Sequence, residues 1–583
     1  MNLYTTDLQI RSEATARNTR TLSCARDLPT YTNCLRIAIL SKVRCRGWFN
    51  AVTLLLVLLI ALALVGLPRL LLTSGARSAT DDLVVNTTNG QVRGVIRRGG
   101  GAEFLGIPFA QPPVGDLRWR EPQPVKAWKG VRDAATFGAP CAQAVLGDWN
   151  RHDAETGKED CLFLNVITPE WRAKKPLPVM FWIHGGANAG GTASSALYKD
   201  GTLVQHGILL VTANYRLGVF GYMAHPGLTH ESSHHAAGNY GLMDQIAALR
   251  WIHDNIANFG GDPNSVTVFG QSAGAQDTSL LMTSPLAKGL FHRAIVQSGS
   301  ALNPLLPSLT EAERGGERIA TALKAPAGDG AIRYLRQLTV ADLLQAGGAQ
   351  NPSAPPQVGP DIDGWVITRL PVEVFAAGQE APIPLIIGGT SREFNMSGGI
   401  DAARGMIKNV AGNLAPQVLS IYGLAGDEKG RNDPLYGPPE NQWFSDFIFR
   451  CPATTQAAWH TTAGHATYQY QLEHAIPGQE ADGAVHSADL PYVFGYYPKS
   501  GNISGNFGEI DYKLADLIQS YWTNFARTGD PNAATLPKWP VFDQSQSFIE
   551  FTQVGSVVAN SEGLRRPQCD LFREILKRRM TTN

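Results

Sequence analysis

Ser272 stands in the pentapeptide Gly270-Gln271-Ser272-Ala273-Gly274, directly after the apolar run VTVF and before AQDTSLLM. Strand, tight turn and helix in that order would strain the serine backbone and lift its hydroxyl above a sheet, near the positive end of the following helix. In a chain with 60 glycines, a bare Gly-x-Ser-x-Gly arises easily by chance, so the flanking strand and helix carry the weight. A serine hydroxyl is a poor nucleophile on its own. The chemistry therefore requires a histidine base, a carboxylate to orient it, and N–H donors for the oxyanion.

The donors come from His184-Gly185-Gly186-Ala187, a glycine turn that follows a run ending in Trp182-Ile183. Gly186 and Ala187, together with Ala273 just after the serine, offer three amides, and none is lost to proline. On an elbow of this kind the acid and then the histidine follow the serine in chain order. Glu393 is the candidate acid, a few residues after the strand-like PLIIGG in the loop GTSREF. Four histidines come later: His460, His465, His474 and His486. Only the last two follow the strand-like TYQYQLE. His486 lies in the turn-rich GQEADGAVHSADLPYVFG, long enough to reach back over the serine, and His474 is the alternative.

A second motif competes. His230-Glu231-Ser232-Ser233-His234 satisfies HExxH, in which two histidines one helical turn apart bind zinc and the glutamate activates water. That chemistry needs a helix, and this pentapeptide sits in a short connection after Pro226-Gly227. The expectation is therefore no metal and no cofactor. Neither GxGxxG nor GxxxxGK[ST] is present.

The elements that must position these residues are legible from about Asp81 onward. Apolar runs rich in Val and Ile, at 177–186, 207–216, 265–270, 293–299, 384–389 and 467–473, read as buried strands. Between two of them, 241–256 repeats apolar residues at three and four: Leu242, Ile246, Leu249, Ile252 and Ile256. The alternation predicts an α/β fold whose large, mostly parallel sheet is flanked by helices, with ligands bound beyond the carboxyl ends of its strands.

Composition narrows the partners. The chain has 583 residues, with 50 basic balanced by 50 acidic, so no strong field draws it to nucleic acid. At 44% hydrophobic and 17% charged it is globular. The first part differs. A basic, unstructured-looking stretch (1–46) leads through Lys42, Arg44 and Arg46 into the uncharged run AVTLLLVLLIALALVGL, Ala51 to Leu67. Residues 47–73 read as a signal peptide or a signal-anchor transmembrane helix, both open by length. The positive-inside rule puts the chain beyond about residue 75 outside the cytoplasm, periplasmic, secreted or anchored. A start codon called too far upstream would account for residues 1–40.

The ordered segments FLGIPFAQPPVGDLRWREP, EDCLFLNV, HGGANAGG, NYRLGVFGY, GNYGLMDQIAALRWIHDNIANFGGDPNSVTVFGQSAGA, LFHRAIVQSGS, GAVHSADLPYVFG and FARTGDPN resemble the type-B carboxylesterase/lipase family, α/β hydrolases that include cholinesterases and bacterial para-nitrobenzyl esterases. The resemblance covers about 83 to 575, within a domain placed at 81–577. It implies an α/β-hydrolase fold and a serine carboxylesterase acting on small ester substrates. It puts the nucleophile on Ser272, the acid on Glu393, the histidine on His486 and the oxyanion amides on Gly186, Ala187 and Ala273. It also implies disulfides Cys141 with Cys161 and Cys451 with Cys569, and ion pairs Arg118 with Glu159 and Arg216 with Asp244.

Three departures bear on substrate. Gln271 replaces a common glutamate, which removes a carboxylate that would favour a cationic choline ester. Ala187 replaces a glycine. The acid loop reads Ser-Arg-Glu-Phe where a Lys/Arg-Asp-Glu-Gly pattern is commoner. The family also contains adhesion proteins without the serine, so a binding role is the alternative reading. Natural ester, lipase or esterase preference, and oligomeric state have no signature in the sequence.

Overall fold

The computed structural model describes residues 83–328, 330–347 and 358–582. The basic stretch and the apolar run Ala51–Leu67 lie outside these residues. Among the described residues, no helix is long and apolar enough to cross a membrane.

Among the described residues fourteen strands are present in chain order: β1 Val84–Thr87, β2 Gly90–Arg93, β3 Val95–Ile96, β4 Ala102–Pro108, β5 Val131–Asp133, β6 Phe163–Thr168, β7 Leu177–Ile183, β8 Leu209–Ala213, β9 Gly261–Gln271, β10 Arg293–Gln297, β11 Leu385–Thr390, β12 Thr467–Leu472, β13 Phe548–Phe551 and β14 Val557–Asn560. β1, β2 and β5 form a small separate sheet. The other eleven make one sheet in the order β14-β13-β12-β11-β10-β9-β7-β8-β6-β4-β3. From β8 across to β13 every neighbouring pair is parallel. Antiparallel pairing is confined to the two flanks. The six runs expected to be strands all lie in this parallel stretch.

Burial on both faces explains why those runs read as continuous apolar sequence. Along β7 the side chains alternate: Val179, Phe181 and Ile183 enter one hydrophobic core, while Met180 and Trp182 enter the other. The helices covering the two faces include Tyr240–Asn255 and Ala273–Thr283 over the first core and Glu509–Thr528 over the second. The expected strand 207–216 is shorter than its sequence. It ends at Ala213 because Asn214, Tyr215 and Arg216 turn away to polar partners: Arg216 meets Asp244 through two bonds of 2.8 Å, from Nε and Nη2. The other expected ion pair is present as well, with Arg118 Nε and Nη2 each 2.6 Å from the Glu159 carboxylate.

Both disulfides implied by the resemblance are formed. Cys141 joins Cys161, and Cys451 at the start of helix Cys451–Thr462 joins Cys569 in the C-terminal helix Arg566–Thr582.

Candidate active site

β9 runs fully buried from Val266 to Gln271 and turns sharply into helix Ala273–Thr283, with Ser272 between them. Ser272 has φ 59° and ψ −125°, a conformation that costs a non-glycine residue of order 1–3 kcal/mol. The two glycines of the pentapeptide are there for space. A Cβ on Gly270 would lie 2.3 Å from the Gly274 carbonyl oxygen, and one on Gly274 would lie 2.1 Å from that of Ile183. The turn is pinned by the Ser272 amide, which donates to the Gln297 carbonyl at the end of β10 at 2.9 Å. Ser272 is half-buried.

Glu393 lies just beyond the carboxyl end of β11, and His486 in the long connection after β12. The backbone joins them first, the His486 amide donating to the Glu393 carbonyl at 2.8 Å. The side chains then meet, His486 Nδ1 lying 2.7 Å from Glu393 Oε2. The other carboxylate oxygen accepts from the Thr390 amide at 2.9 Å, and the Glu393 amide donates to Ser445 Oγ at 3.2 Å. Glu393 is fully buried, which by itself raises its pKa. The His486 hydrogen bond and charge, with the Thr390 amide, outweigh that and hold the carboxyl below its usual range. An ionised Glu393 facing Nδ1 fixes the proton there and leaves Nε2 with its lone pair.

That Nε2 is met by an unexpected group. The Gln271 side-chain nitrogen lies 3.1 Å away, and among the described residues no hydrogen bond joins His486 to Ser272 Oγ. Since Gln271 precedes Ser272, the base and the serine are neighbours, with the amide donating to the ring nitrogen the serine would use. Looser serine–histidine geometry is common before substrate binds.

Two aromatic rings flank the imidazole: Phe394 at 4.2 Å between centroids and Phe449 at 5.1 Å. Phe449 arrives on a π-helical turn, Asp446–Arg450, whose Arg450 also donates to the Ser391 carbonyl at 2.6 Å. Arg392 clamps the acid loop from outside through the carbonyls of Pro434, Leu435 and Ala481. Asp489, three residues after His486, accepts from Gln297 at 2.6 Å, and burial raises its carboxyl to about 6. The sequence marked Phe394 only as a departure; nothing in its spacing pointed it at the ring.

The glycine turn after β7 holds φ 111° at Gly186, 57° at Ala187 and 55° at Asn188. Ala187 is exposed. Among the described residues, the amides of Gly186, Ala187 and Ala273 donate to no protein acceptor, which leaves them available to a ligand. Asn188 is the turn's anchor: its Nδ2 donates to Asp277 at 2.9 Å, and its Oδ1 lies 3.1 Å from the Tyr215 hydroxyl. His184 stacks on Tyr215 at 4.5 Å, and burial lowers its pKa to about 4, so it stays neutral.

The other candidates lie elsewhere. His474 Nε2 pairs with Asp511 at 2.9 Å and Nδ1 with the Gln553 carbonyl at 2.8 Å, which occupies both ring nitrogens. The HExxH run does not form one helix. Helix Pro226–Glu231 stops at Glu231, and Ser232 is extended. His234 stacks on Trp365 at 3.8 Å, and Glu231 is held by Arg336.

Residues 81–572 match the pattern of the carboxylesterase family. The chain is 37% identical to a fumonisin B1 esterase from Sphingopyxis macrogoltabida over 83% of this chain and 89% of that protein. It is 36% identical to a medium-chain fatty acyl-CoA hydrolase precursor from Anas platyrhynchos, over 82% and 90%. Its fold is similar to that of a carboxylesterase from Geobacillus stearothermophilus, with TM-score 0.72 and 32% identity across 83% of this chain and 99% of that one.

Proposed function

Since the chain belongs to the carboxylesterase family and is a serine hydrolase of carboxylic esters, we propose that Ser272, His486 and Glu393 form its catalytic triad, with Gly186, Ala187 and Ala273 as the oxyanion hole. The observation that carries this is the buried Glu393 carboxylate, 2.7 Å from Nδ1 of an imidazole whose Nε2 lies 3.1 Å from the side chain of Gln271, the residue before the strained Ser272.

In the first half-reaction, Ser272 Oγ bonds to the ester carbonyl carbon while its proton passes to His486 Nε2. The carbonyl oxygen takes the negative charge, facing the three amides. The alkoxy C–O bond then breaks, and the alcohol leaves with the proton from His486. In the second half-reaction, water bonds to the acyl carbon as its proton goes to the same nitrogen; the bond from that carbon to Ser272 Oγ then breaks, Oγ takes the proton back from His486, and the acid departs. One such donor is worth about 3 kcal/mol, so the three amides supply a large part of the acceleration.

Serine replacement tests this directly. Ser272→Ala lowers hydrolysis of short-chain aryl esters by at least about a thousandfold with the fold intact. A serine-directed organophosphate adds its mass at Ser272 and nowhere else. Turnover that survives the substitution, or an adduct at another residue, removes the assignment.

The substrates proposed are neutral small esters. Gln271 supports this by placing an amide where a carboxylate would attract a cationic alcohol group. An exported catalytic domain is the proposed location. The two disulfides, which persist in oxidising compartments, support it, as does the apolar run Ala51–Leu67, read as a cleaved signal or a retained anchor.

A further inference from the structure

Three side chains with metal-ligating atoms meet at the opposite end of the sheet from the triad. Glu380 lies in the connection from helix Pro371–Ala376 into β11. His460 is in the last turn of helix Cys451–Thr462, and His465 in the link from that helix into β12. Glu393 follows the carboxyl end of β11, whereas this cluster precedes the amino ends of β11 and β12. The ligand atoms of Glu380, His460 and His465 all lie within 4.8 Å of one another.

The tautomer of His460 is set by its surroundings. Its Nε2 lies 2.8 Å from the Ile383 carbonyl, which can only accept, so Nε2 carries the proton. Nδ1 lies 2.6 Å from Glu380 Oε1, a contact that needs a proton between the two atoms, and a metal ion bound at Nδ1 would take that proton's place. A ring nitrogen donating to a backbone carbonyl orients the imidazole as in metal-binding histidines, which leaves Nδ1 as the nitrogen a metal ion would take. The Glu380 side chain is fully buried, and its second oxygen, Oε2, meets no hydrogen-bond donor. A buried carboxylate oxygen without a protein donor requires a partner, which a cation or an ordered water can supply.

His465 completes the set from the surface. It is half-buried, with ring centroids 4.7 Å from His460. Its backbone is fixed at both ends: the amide donates to the His460 carbonyl at 3.2 Å, and its carbonyl accepts from the Thr467 hydroxyl at 3.1 Å.

We propose that Glu380, His460 and His465 form a binding site for a zinc-class divalent transition metal, tying the connections that lead into β11 and β12. Two imidazoles and one carboxylate suit zinc or its late first-row neighbours, whereas calcium and magnesium take oxygen ligands. On a tetrahedral ion the ligand atoms stand about 3.3 Å apart. Binding therefore opens the His460–Glu380 contact slightly and draws His465 inward, with water in the fourth position on the exposed side. The site makes no contact with the proposed triad, so its effect is on binding and stability, not on the chemical step.

The test uses the full chain stripped with a chelator, then titrated with Zn²⁺ against a chromophoric competitor and separately with Co²⁺. The expected result is one tightly held Zn²⁺ per chain, a melting temperature raised by Zn²⁺, and visible Co²⁺ absorption of a four-coordinate site. His465→Ala, at a half-buried position, and the isosteric Glu380→Gln each weaken binding by about a hundredfold and abolish the Co²⁺ spectrum. His234→Ala, in the HExxH run, changes nothing. Zn²⁺ binding that keeps its affinity in His465→Ala, or no tight binding to the wild type, overturns the proposal and leaves His460–Glu380 as a buried polar pair. The His465→Ala result decides even where Glu380→Gln does not fold.

Discussion

Gln271 occupies the lone pair that the mechanism needs, its side-chain nitrogen lying 3.1 Å from His486 Nε2. A neutral donor favours the unprotonated imidazole. A carboxylate at the same place would favour imidazolium, since an opposite charge within about 4–6 Å stabilises the charged form. Gln271→Glu therefore moves the acidic limb of the kcat/KM profile to higher pH than in the wild type. Profiles that superimpose would show that this amide does not act on the base. A second residue-scale effect belongs to Asp277, whose buried carboxyl is raised to about 7 although Asn188, Gln245 and Tyr222 all donate to it. A carboxyl raised on folding gives stability that is complete below its ordinary value, and that stability declines as pH rises through the folded one. The unfolding free energy of the wild type relative to Asp277→Asn should thus fall by on the order of a few kcal/mol between about pH 4 and 7, then level off. Urea titrations at several pH values measure it. Neither residue's role was legible in the sequence. Gln271 stood out as a departure, but only the fold brings it to an imidazole 215 positions away, and Asp277 sits in an apolar helix with no local sign of its partners.

Among the elements, the parallel strands were legible because burial on both faces forces Val, Ile and Leu into runs, as in β10 and β11, where no polar alternation competes. The flanking strands were not. β1, β2, β5 and β14 are short and partly or fully exposed, so they carry little apolar signal. The Ser272 elbow was legible because two close backbone approaches demand glycine at fixed positions. The acid loop was harder, since Glu393 is defined by contacts from β11, the 486 loop and Ser445, far apart in sequence. The C-terminal helix Arg566–Thr582 is held near the π-helical turn beside the proposed triad by Arg565, which pairs with Asp446 at 2.8 Å, and by Cys451–Cys569. That bridge closes 118 residues and Cys141–Cys161 only 20. Chain-entropy arguments give about 4–5 kcal/mol for the long ring and about 3 for the short one. The Cys451→Ser/Cys569→Ser variant should unfold at lower guanidinium concentration than Cys141→Ser/Cys161→Ser, with an unfolding free energy lower by roughly that difference. The reverse order would mean that native contacts, not loop length, set the contributions.

On the scale of the whole molecule, the polarity of the parallel strands sorts the chemistry. Ser272 and Glu393 follow the carboxyl ends of β9 and β11, and His486 follows β12, so three loops distant in sequence converge at one end. Everything the proposed site needs lies within the family-matched residues 81–572: the glycine turn after β7, the Ser272 elbow, the loops carrying Glu393 and His486, and both disulfides. No contact with the first eighty residues is required by any step of the proposed chemistry. A chain beginning at Thr80, produced in an oxidising compartment so that both bridges form, should therefore fold and hydrolyse short aryl esters with kcat/KM within about twofold of the full chain, a difference under about 0.5 kcal/mol in transition-state stabilisation. Membrane association is then the property to measure alongside. The shortened protein should stay in the soluble fraction, while the full chain partitions with its apolar run if that run is retained. A shortened chain that folds yet loses most of its activity would place part of the site in the N-terminal region, and the assignment of catalysis to the carboxyl ends of β9, β11 and β12 alone would fail.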